Sequence, residues 1–269
     1  MKKLKICIIG GGNLGISIAE GLIKSSLKLE NLTVTKRRTK AINKLKKIGI
    51  TVSNDNKKSI KEKDLILLAV KPNQSIKVLN EIKDCIDIEK QIIVSLVTGL
   101  SSEKILHTLN KKATIFRTMP NTAIALQESM TCISSKNANK KQSDLINNVF
   151  SILGKTMFVK ENLISASTVL AASGVAFSLR FMRAIIQAGI EIGFEPNDSK
   201  AIAAQVMNGA SKLIIESSDN NHPEMEIDKV TTPQGITISG LNAMEHNGFS
   251  SALIKGVLTS FNKIEKMKK

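Results

Sequence analysis

Residues Lys5-Ile6-Cys7-Ile8-Ile9-Gly10-Gly11-Gly12-Asn13-Leu14-Gly15 decide the reading of the first half of the chain. An apolar run of strand length gives way to G-x-G-x-x-G, and amphipathic spacing then continues to Lys24. This predicts a strand over Lys5–Ile9, a tight glycine turn and a helix over Leu14–Lys24. In that context each glycine has its own physical task. Gly10 allows the turn, Gly12 lets the backbone approach a diphosphate, and Gly15 permits close helix–strand packing. The helix N-terminus adds free amides and a positive dipole end for an anion, so Gly10, Gly12, Asn13, Leu14 and Gly15 are the candidate diphosphate holders. A glycine turn without a ligand is the plainer reading; the strand before it and the helix after it favour the dinucleotide.

The next strand reads Leu32–Thr35 and runs into Lys36-Arg37-Arg38. A site preferring NAD would place an acidic residue there for the ribose hydroxyls, but none occurs between Glu30 and Asp55. A guanidinium makes charge-assisted bonds to a 2′-phosphate, so Arg37 and Arg38 point to NADPH, with NADH as the alternative donor. The competing explanation is general basicity, since 39 Lys and Arg against 23 Asp and Glu leave the chain at +16.

Farther along, short apolar runs alternate with amphipathic stretches, the pattern of βαβ units on a parallel sheet. Helices are expected over Thr39–Lys47, around Gln74–Ile82 and from Ser101, and strands over Leu65–Val70, Ile92–Leu96 and Thr114–Arg117. Open α/β sheets bind ligands beyond the carboxyl ends of their strands. Ala69-Val70-Lys71-Pro72 sits at such an end, and Arg117-Thr118-Met119-Pro120-Asn121-Thr122 reads as a loop after another strand.

After about Asn162 the texture changes to helical spacing through Ile164–Glu191, Asp198–Ser217, Gly235–His246 and Ser250–Lys268, with Ser217–Pro223 the most loop-like stretch. The expected organisation is α/β, with an N-terminal dinucleotide domain over 1–161 and a C-terminal all-helical domain over 162–269. The charge-free run between Glu161 and Arg180 is broken by serines and a threonine, too polar for a membrane span, and reads as a buried helix. The apolar helix around Leu163–Ile186 exceeds what a lone domain of that size covers, which implies a second copy of the chain. Thr231-Thr232-Pro233-Gln234-Gly235-Ile236-Thr237 is a Pro-x-Gly loop opening a helix, suited to presenting amides to a carboxylate.

Composition narrows the function. The 269 residues include 42% hydrophobic side chains, enough for a core, but neither Trp nor Tyr. Without aromatic platforms or a nucleic-acid motif, the positive charge is weak evidence for nucleic acid. Cys7, Cys85 and Cys132 are widely spaced, forming no metal-type pair and fitting a reducing, cytoplasmic setting. The apolar run Ile6–Ile9 is too short for a signal-peptide core. His107, His222 and His246 are scattered, so no metal is expected, and no nucleophile–base arrangement supports covalent chemistry.

Taken together, Gly-Gly-Gly-Asn-Leu-Gly at 10–15, Ala-Val-Lys-Pro at 69–72, Arg-Thr-Met-Pro-Asn-Thr at 117–122 and Thr-Thr-Pro-Gln-Gly-Ile-Thr-Ile at 231–238 resemble the pyrroline-5-carboxylate reductase family. Met244–Leu253 is similar to a further segment of that family. The resemblance implies a Rossmann domain followed by a helical dimerisation domain, and NADPH-dependent reduction of a cyclic imine to L-proline by a homodimer or an oligomer built from dimers. It places Asn56, Val70, Lys71 and Pro72 at the adenosine and ribose, and Met119, Pro120 and Asn121 beside the nicotinamide. Val230, Gly235 and Ile236 go to the substrate, and Thr237 to its ring nitrogen as the catalytic hydroxyl. Gln234 stands where the family usually has glycine, Phe177 where it has tyrosine, and Arg183 where an acidic residue is frequent. The alternatives are another two-domain NADP-dependent dehydrogenase or imine reductase, and a non-catalytic NADP-binding paralogue. A β-hydroxyacid dehydrogenase would need a lysine on the long helix, yet none lies between Lys160 and Lys200.

Overall fold

The computed structural model describes residues 3–25, 27–216 and 222–268, so most of the stretch read as loop at 217–223 lies outside the described residues. The chain divides into two compact units. One runs to Ser173 and takes in the chain's end from Ser260, and the other is Gly174–Thr259.

In chain order the first unit contains β1 (Ile6–Ile9), α1 (Asn13–Ile23), β2 (Leu32–Thr35), α2 (Asn43–Lys47), β3 (Thr51–Ser53), α3 (Asn56–Ile60), β4 (Leu65–Leu68) and α4 (Pro72–Ile82). It continues with β5 (Ile92–Ser95), α5 (Ser102–Leu109), β6 (Thr114–Met119), β7 (Ser129–Lys136), α6 (Lys140–Ser151), β8 (Gly154–Phe158) and α7 (Ile164–Ser167). One eight-stranded sheet results, in the order β3-β2-β1-β4-β5-β6-β7-β8. The strands from β1 to β6 are parallel, β7 runs antiparallel to β6, and β8 runs parallel to β7. The 3-2-1-4-5-6 portion is the doubly wound dinucleotide order.

The apolar runs are continuous because both faces of the sheet are covered. Successive strand side chains point to opposite faces. Ile6 and Ile8 therefore join one core with Ile18, Leu22, Val34 and Phe150, while Cys7 and Ile9 join the other with Leu68, Leu79 and Ile105. Burial pushes the Cys7 thiol up to about 12, against a smaller opposing influence of the Lys63 charge. Ser101 caps α5 by accepting from the Lys104 amide at 3.2 Å, which accounts for the helix start expected there.

Several features depart from the sequence reading. The helix expected over Thr39–Lys47 is a 3₁₀ turn, Thr39–Ile42, followed by α2. The strand expected to stop at Arg117 continues through Thr118 and Met119, which pair with Ile133 and Cys132 of β7. Helical character begins with a 3₁₀ turn, Glu161–Leu163, that runs into α7, whereas the compact division falls at Ser173. Ile164, Ser165, Thr168 and Val169 are buried, and α7 packs on β6 and β7, which keeps this stretch with the sheet.

The chain leaves the sheet through a π-helical turn, Thr168–Ser173. The second unit follows as α8 (Gly174–Glu191), α9 (Pro196–Ile215), α10 (Pro223–Asp228), α11 (Ile236–His246) and α12 (Phe249–Lys268), the last ending in the first unit. Helices α8 and α9 approach closely at Gly189 and Ser199, where the Ser199 hydroxyl donates to the Ile186 carbonyl at 2.8 Å. The reading of a buried helix between Glu161 and Arg180 fits its start, where Ile164, Ser165, Thr168 and Val169 are buried, but needs correction from Gly174 on: α8 buries no residue within this chain. Leu179, Val206, Leu213, Ile254 and Leu258 are each more than half exposed, so the second unit carries far more apolar surface than it covers itself. The helical run Glu161–Glu191 reaches a mean hydropathy of 1.6 in its most apolar window, of which 6% is buried; by length and composition alone it could cross a bilayer.

Candidate active site

The first three residues of the diphosphate motif, Gly10 to Gly12, form the turn between β1 and α1. Gly10 has φ +116°, and a Cβ there would collide with the Ala69 carbonyl. Only glycine fits both conditions. The amides of Gly10 and Gly11 donate to the Thr35 carbonyl at 3.1 and 2.8 Å, and the Ala69 amide donates to the Ile9 carbonyl at 2.8 Å. The ends of β1, β2 and β4 are thereby tied together. A Cβ on Gly15 would strike the Gly10 carbonyl, so this glycine serves the close packing expected of it. Gly12 differs: a Cβ there would meet nothing within 4 Å. It is the N-cap of α1, with no side-chain cap bond, so the helix opens with its first amides available to an anion. The space over Gly12 and the uncapped amides of Asn13 and Leu14 are the cradle a diphosphate requires.

Around that cradle, Arg37 and Arg38 are exposed beyond the end of β2 and hold no ion pair among the described residues. Lys36 is engaged instead, its Nζ donating to the Gly11 carbonyl at 2.7 Å. Asn56 opens α3, accepts from Thr35 Oγ1 at 2.6 Å and donates to Glu81 Oε2 at 3.2 Å. Val70 is half-buried beside Gly10, Lys71 is the exposed N-cap of α4, and Pro72 is its first residue. Met119, Pro120 and Asn121 are all buried where β6 ends, at the same carboxyl edge. The sequence reading named no site residue after β5, although β5 lies between β4 and β6 and brings Leu96, Val97 and Thr98 to the same edge. The Leu96 amide donates to the Leu68 carbonyl at 3.0 Å. Their signal was strand order, which an apolar run alone does not reveal.

A polar cluster that the sequence did not announce lies next to this edge. Arg117 is 4% exposed at its side chain, and its Nη1 lies 2.8 Å from Glu161 Oε1. The same carboxylate accepts from Ser134 Oγ at 2.7 Å and from the Ser102 amide and hydroxyl, each at 3.1 Å. Burial alone would raise the Glu161 pKa. The hydrogen bonds from Arg117 and Ser134, with the Arg117 charge, outweigh it and hold the carboxyl below its ordinary value.

The substrate candidates belong to the second unit. Val230 is exposed after α10, and Gly235 is the N-cap of α11, again with no side-chain cap bond. Ile236 and Thr237 are the first two residues of that helix, and both are exposed. The Gly235 amide donates to the Thr232 carbonyl at 2.9 Å, and a Cβ at Gly235 would lie 2.5 Å from Thr232 Oγ1, so this loop depends on glycine. Gln234 has φ +58°, a left-handed conformation at the position where the sequence suggested that a glycine-type backbone was required. Among the described residues no group of three or more His, Cys, Asp or Glu is placed to hold a metal.

A doubly wound sheet with a glycine cradle at its carboxyl edge, joined to a helical second unit, defines an NAD(P)H-dependent oxidoreductase. Residues 5–99 match the family described as NADP oxidoreductase coenzyme F420-dependent, and residues 161–267 match pyrroline-5-carboxylate reductase dimerisation. Pyrroline-5-carboxylate reductase 1 of Dictyostelium discoideum is 41% identical over 96% of this chain, which spans about half of that protein (49%). Pyrroline-5-carboxylate reductase 2 of the same organism is 37% identical, with 97% of this chain and 92% of that protein covered. The solved Plasmodium falciparum pyrroline carboxylate reductase with NADP bound superimposes with a TM-score of 0.90 at 26% identity, covering 100% of both chains. The chain belongs to the pyrroline-5-carboxylate reductase family. The dimerisation match supplies a reason for the apolar surface left open on the second unit: the chain oligomerises.

Proposed function

We propose that this chain reduces 1-pyrroline-5-carboxylate to L-proline, the last step of proline synthesis, with NADPH as hydride donor and NADH as the alternative. The observation that carries the reading is the uncapped N-terminus of α11, with Thr237 as its second residue, in a chain whose other unit holds a dinucleotide cradle.

NADPH, when bound, supplies a hydride. Gly10, Gly12, Asn13, Leu14 and Gly15 hold its diphosphate, and Arg37 and Arg38 its 2′-phosphate. Asn56, Val70, Lys71 and Pro72 line the adenosine and ribose side, and Met119, Pro120 and the Asn121 backbone border the nicotinamide. The uncapped amides of Ile236 and Thr237, beside Gly235, receive the substrate carboxylate, favoured by the positive end of α11, with Val230 against the ring. The Thr237 hydroxyl hydrogen-bonds the ring nitrogen, fixing which carbon is presented. A protonated imine is already electrophilic, so reduction needs neither a metal nor a covalent nucleophile; alignment is the protein's main contribution. The exposed apolar helices of the second unit close against a second copy, giving a homodimer or an oligomer built from dimers. Three free thiols suit a reducing, cytoplasmic setting.

Replacing Thr237 by Ala tests the assignment. We expect kcat with saturating imine to fall on the order of 10-fold to 100-fold, the loss for one hydrogen bond made at the reacting atoms. Unchanged turnover would remove Thr237 from the site.

A further inference from the structure

The side chain of Asn121 is oriented by bonds that the proposed chemistry does not use. The residue is 8% exposed at the end of β6. Its backbone amide donates to Ser129 Oγ at 3.1 Å, and its Oδ1 accepts from the Ala123 amide at 2.9 Å. That second bond caps the 3₁₀ turn Thr122–Leu126, which packs on α1; Lys24 Nζ from the end of α1 also donates to the Ala125 carbonyl at 2.7 Å. The remaining donor, Nδ2, lies 2.9 Å from the carbonyl of Ala171, inside the π turn Thr168–Ser173. One carboxamide therefore joins the segment packed on the diphosphate helix to the turn through which the chain leaves the sheet. Gly174, where the second unit begins, follows Ala171 by three residues.

A π turn is a rare conformation that occurs mostly as a single turn within an α-helix, and frequently at functional sites. It needs support from outside its own hydrogen-bond ladder, and a buried amide donor provides that support. A carboxamide oxygen occupied by Ala123 and a nitrogen directed at Ala171 also leave little of this group for a cofactor.

We propose that Asn121 is a positioning residue: its carboxamide clasps the π turn at Ala171 to the cofactor edge of the sheet, and so sets the point from which α8 departs. Its influence on turnover rests on the reductase reading given above, while the clasp itself does not.

The Asn121→Asp variant tests this, because it keeps an acceptor for the Ala123 amide and removes the donor to Ala171. Hydrogen–deuterium exchange of the cofactor-free protein should show backbone amides of the 165–177 segment exchanging on the order of 10-fold faster, with α1 unchanged. The NADPH dissociation constant, read by fluorescence titration, should stay within about twofold, while kcat falls on the order of 10-fold from lost alignment. A dissociation constant raised tenfold with unaltered exchange would make Asn121 a direct cofactor ligand and overturn the proposal; so would a variant indistinguishable from the parent. Should Asn121→Asp fail to fold, the parent protein decides. Strong protection of the 165–177 segment before NADPH is added supports the clasp, and protection that arises only on adding NADPH refutes it. A protein that keeps the exchange signature but reduces no imine would sink the reductase reading and leave the clasp standing.

Discussion

Arg117 on β6 and Glu161, just before α7, form an ion pair of 2.8 Å whose cation is almost wholly buried and whose carboxylate is 40% exposed. Glu161 also gathers Ser102 and Ser134, so one side chain joins α5, β6 and β7 where helical structure begins. Removing the carboxylate strands a buried guanidinium. Glu161→Gln should cost about 2–3 kcal/mol, somewhat below a fully buried pair because Glu161 keeps access to water. Urea unfolding of Glu161→Gln, Arg117→Met and the double variant would measure the coupling, with the double variant losing less than the sum of the singles.

The same pair sets an acid limit. The folded-state pKa of Glu161 is depressed, so its contribution is complete above the ordinary carboxylate range and is lost as pH falls through the lower folded value. Stability against pH should therefore decline on the acid side less steeply in Glu161→Gln than in the parent, a difference that thermal melts between pH 7 and acid would reveal.

Gly10 and Gly12 should fail in different ways. Alanine at Gly10 meets the Ala69 carbonyl at a positive φ, and should lower the melting temperature. At Gly12 alanine enters free space, so Gly12→Ala should melt like the parent yet bind NADPH about tenfold more weakly, its methyl occupying the diphosphate approach. Melting curves beside NADPH titrations separate the two.

Neutralising Arg37 and Arg38 should act on one cofactor only. With both as alanine, the NADPH dissociation constant should rise on the order of 10-fold to 100-fold while that of NADH moves little, because only NADPH brings the extra phosphate. Equal weakening of both cofactors would place these arginines elsewhere.

Cys7 should behave as an inert thiol. With its pKa pushed up to about 12 by burial, the thiolate is scarce at pH 8, and alkylation should occur only on unfolding. Mass spectrometry of peptides after iodoacetamide treatment would locate any reaction in the folded protein.

Much of the fold was legible where the physics is local and strong. The run Ile6–Ile9 followed by three glycines announced its strand and turn, because burial on both faces and a positive φ leave few other residue choices. Elements of 126–160 went unread. The strand β7 is Ser-Met-Thr-Cys-Ile-Ser-Ser-Lys, whose buried Ser129, Thr131 and Ser134 are polar, and β3 is a three-residue edge strand, too short for a period to register. The glycine cradle and the Pro-x-Gly loop could be named from motifs. The Arg117–Glu161 pair could not, since 44 residues separate its members and only strand pairing brings them together. The long apolar run was readable as helix and as too apolar for a lone domain, but not where it divides: Ile164, Ser165, Thr168 and Val169 are buried, whereas α8 buries no residue within this chain.

The most direct test of the central claim follows NADPH oxidation by the purified protein with 1-pyrroline-5-carboxylate, beside a 3-oxo acid. Rapid NADPH loss with the imine, proline as product and no reaction with the oxo acid is the predicted result. No oxidation with the imine, or a preference for the oxo acid, would contradict it.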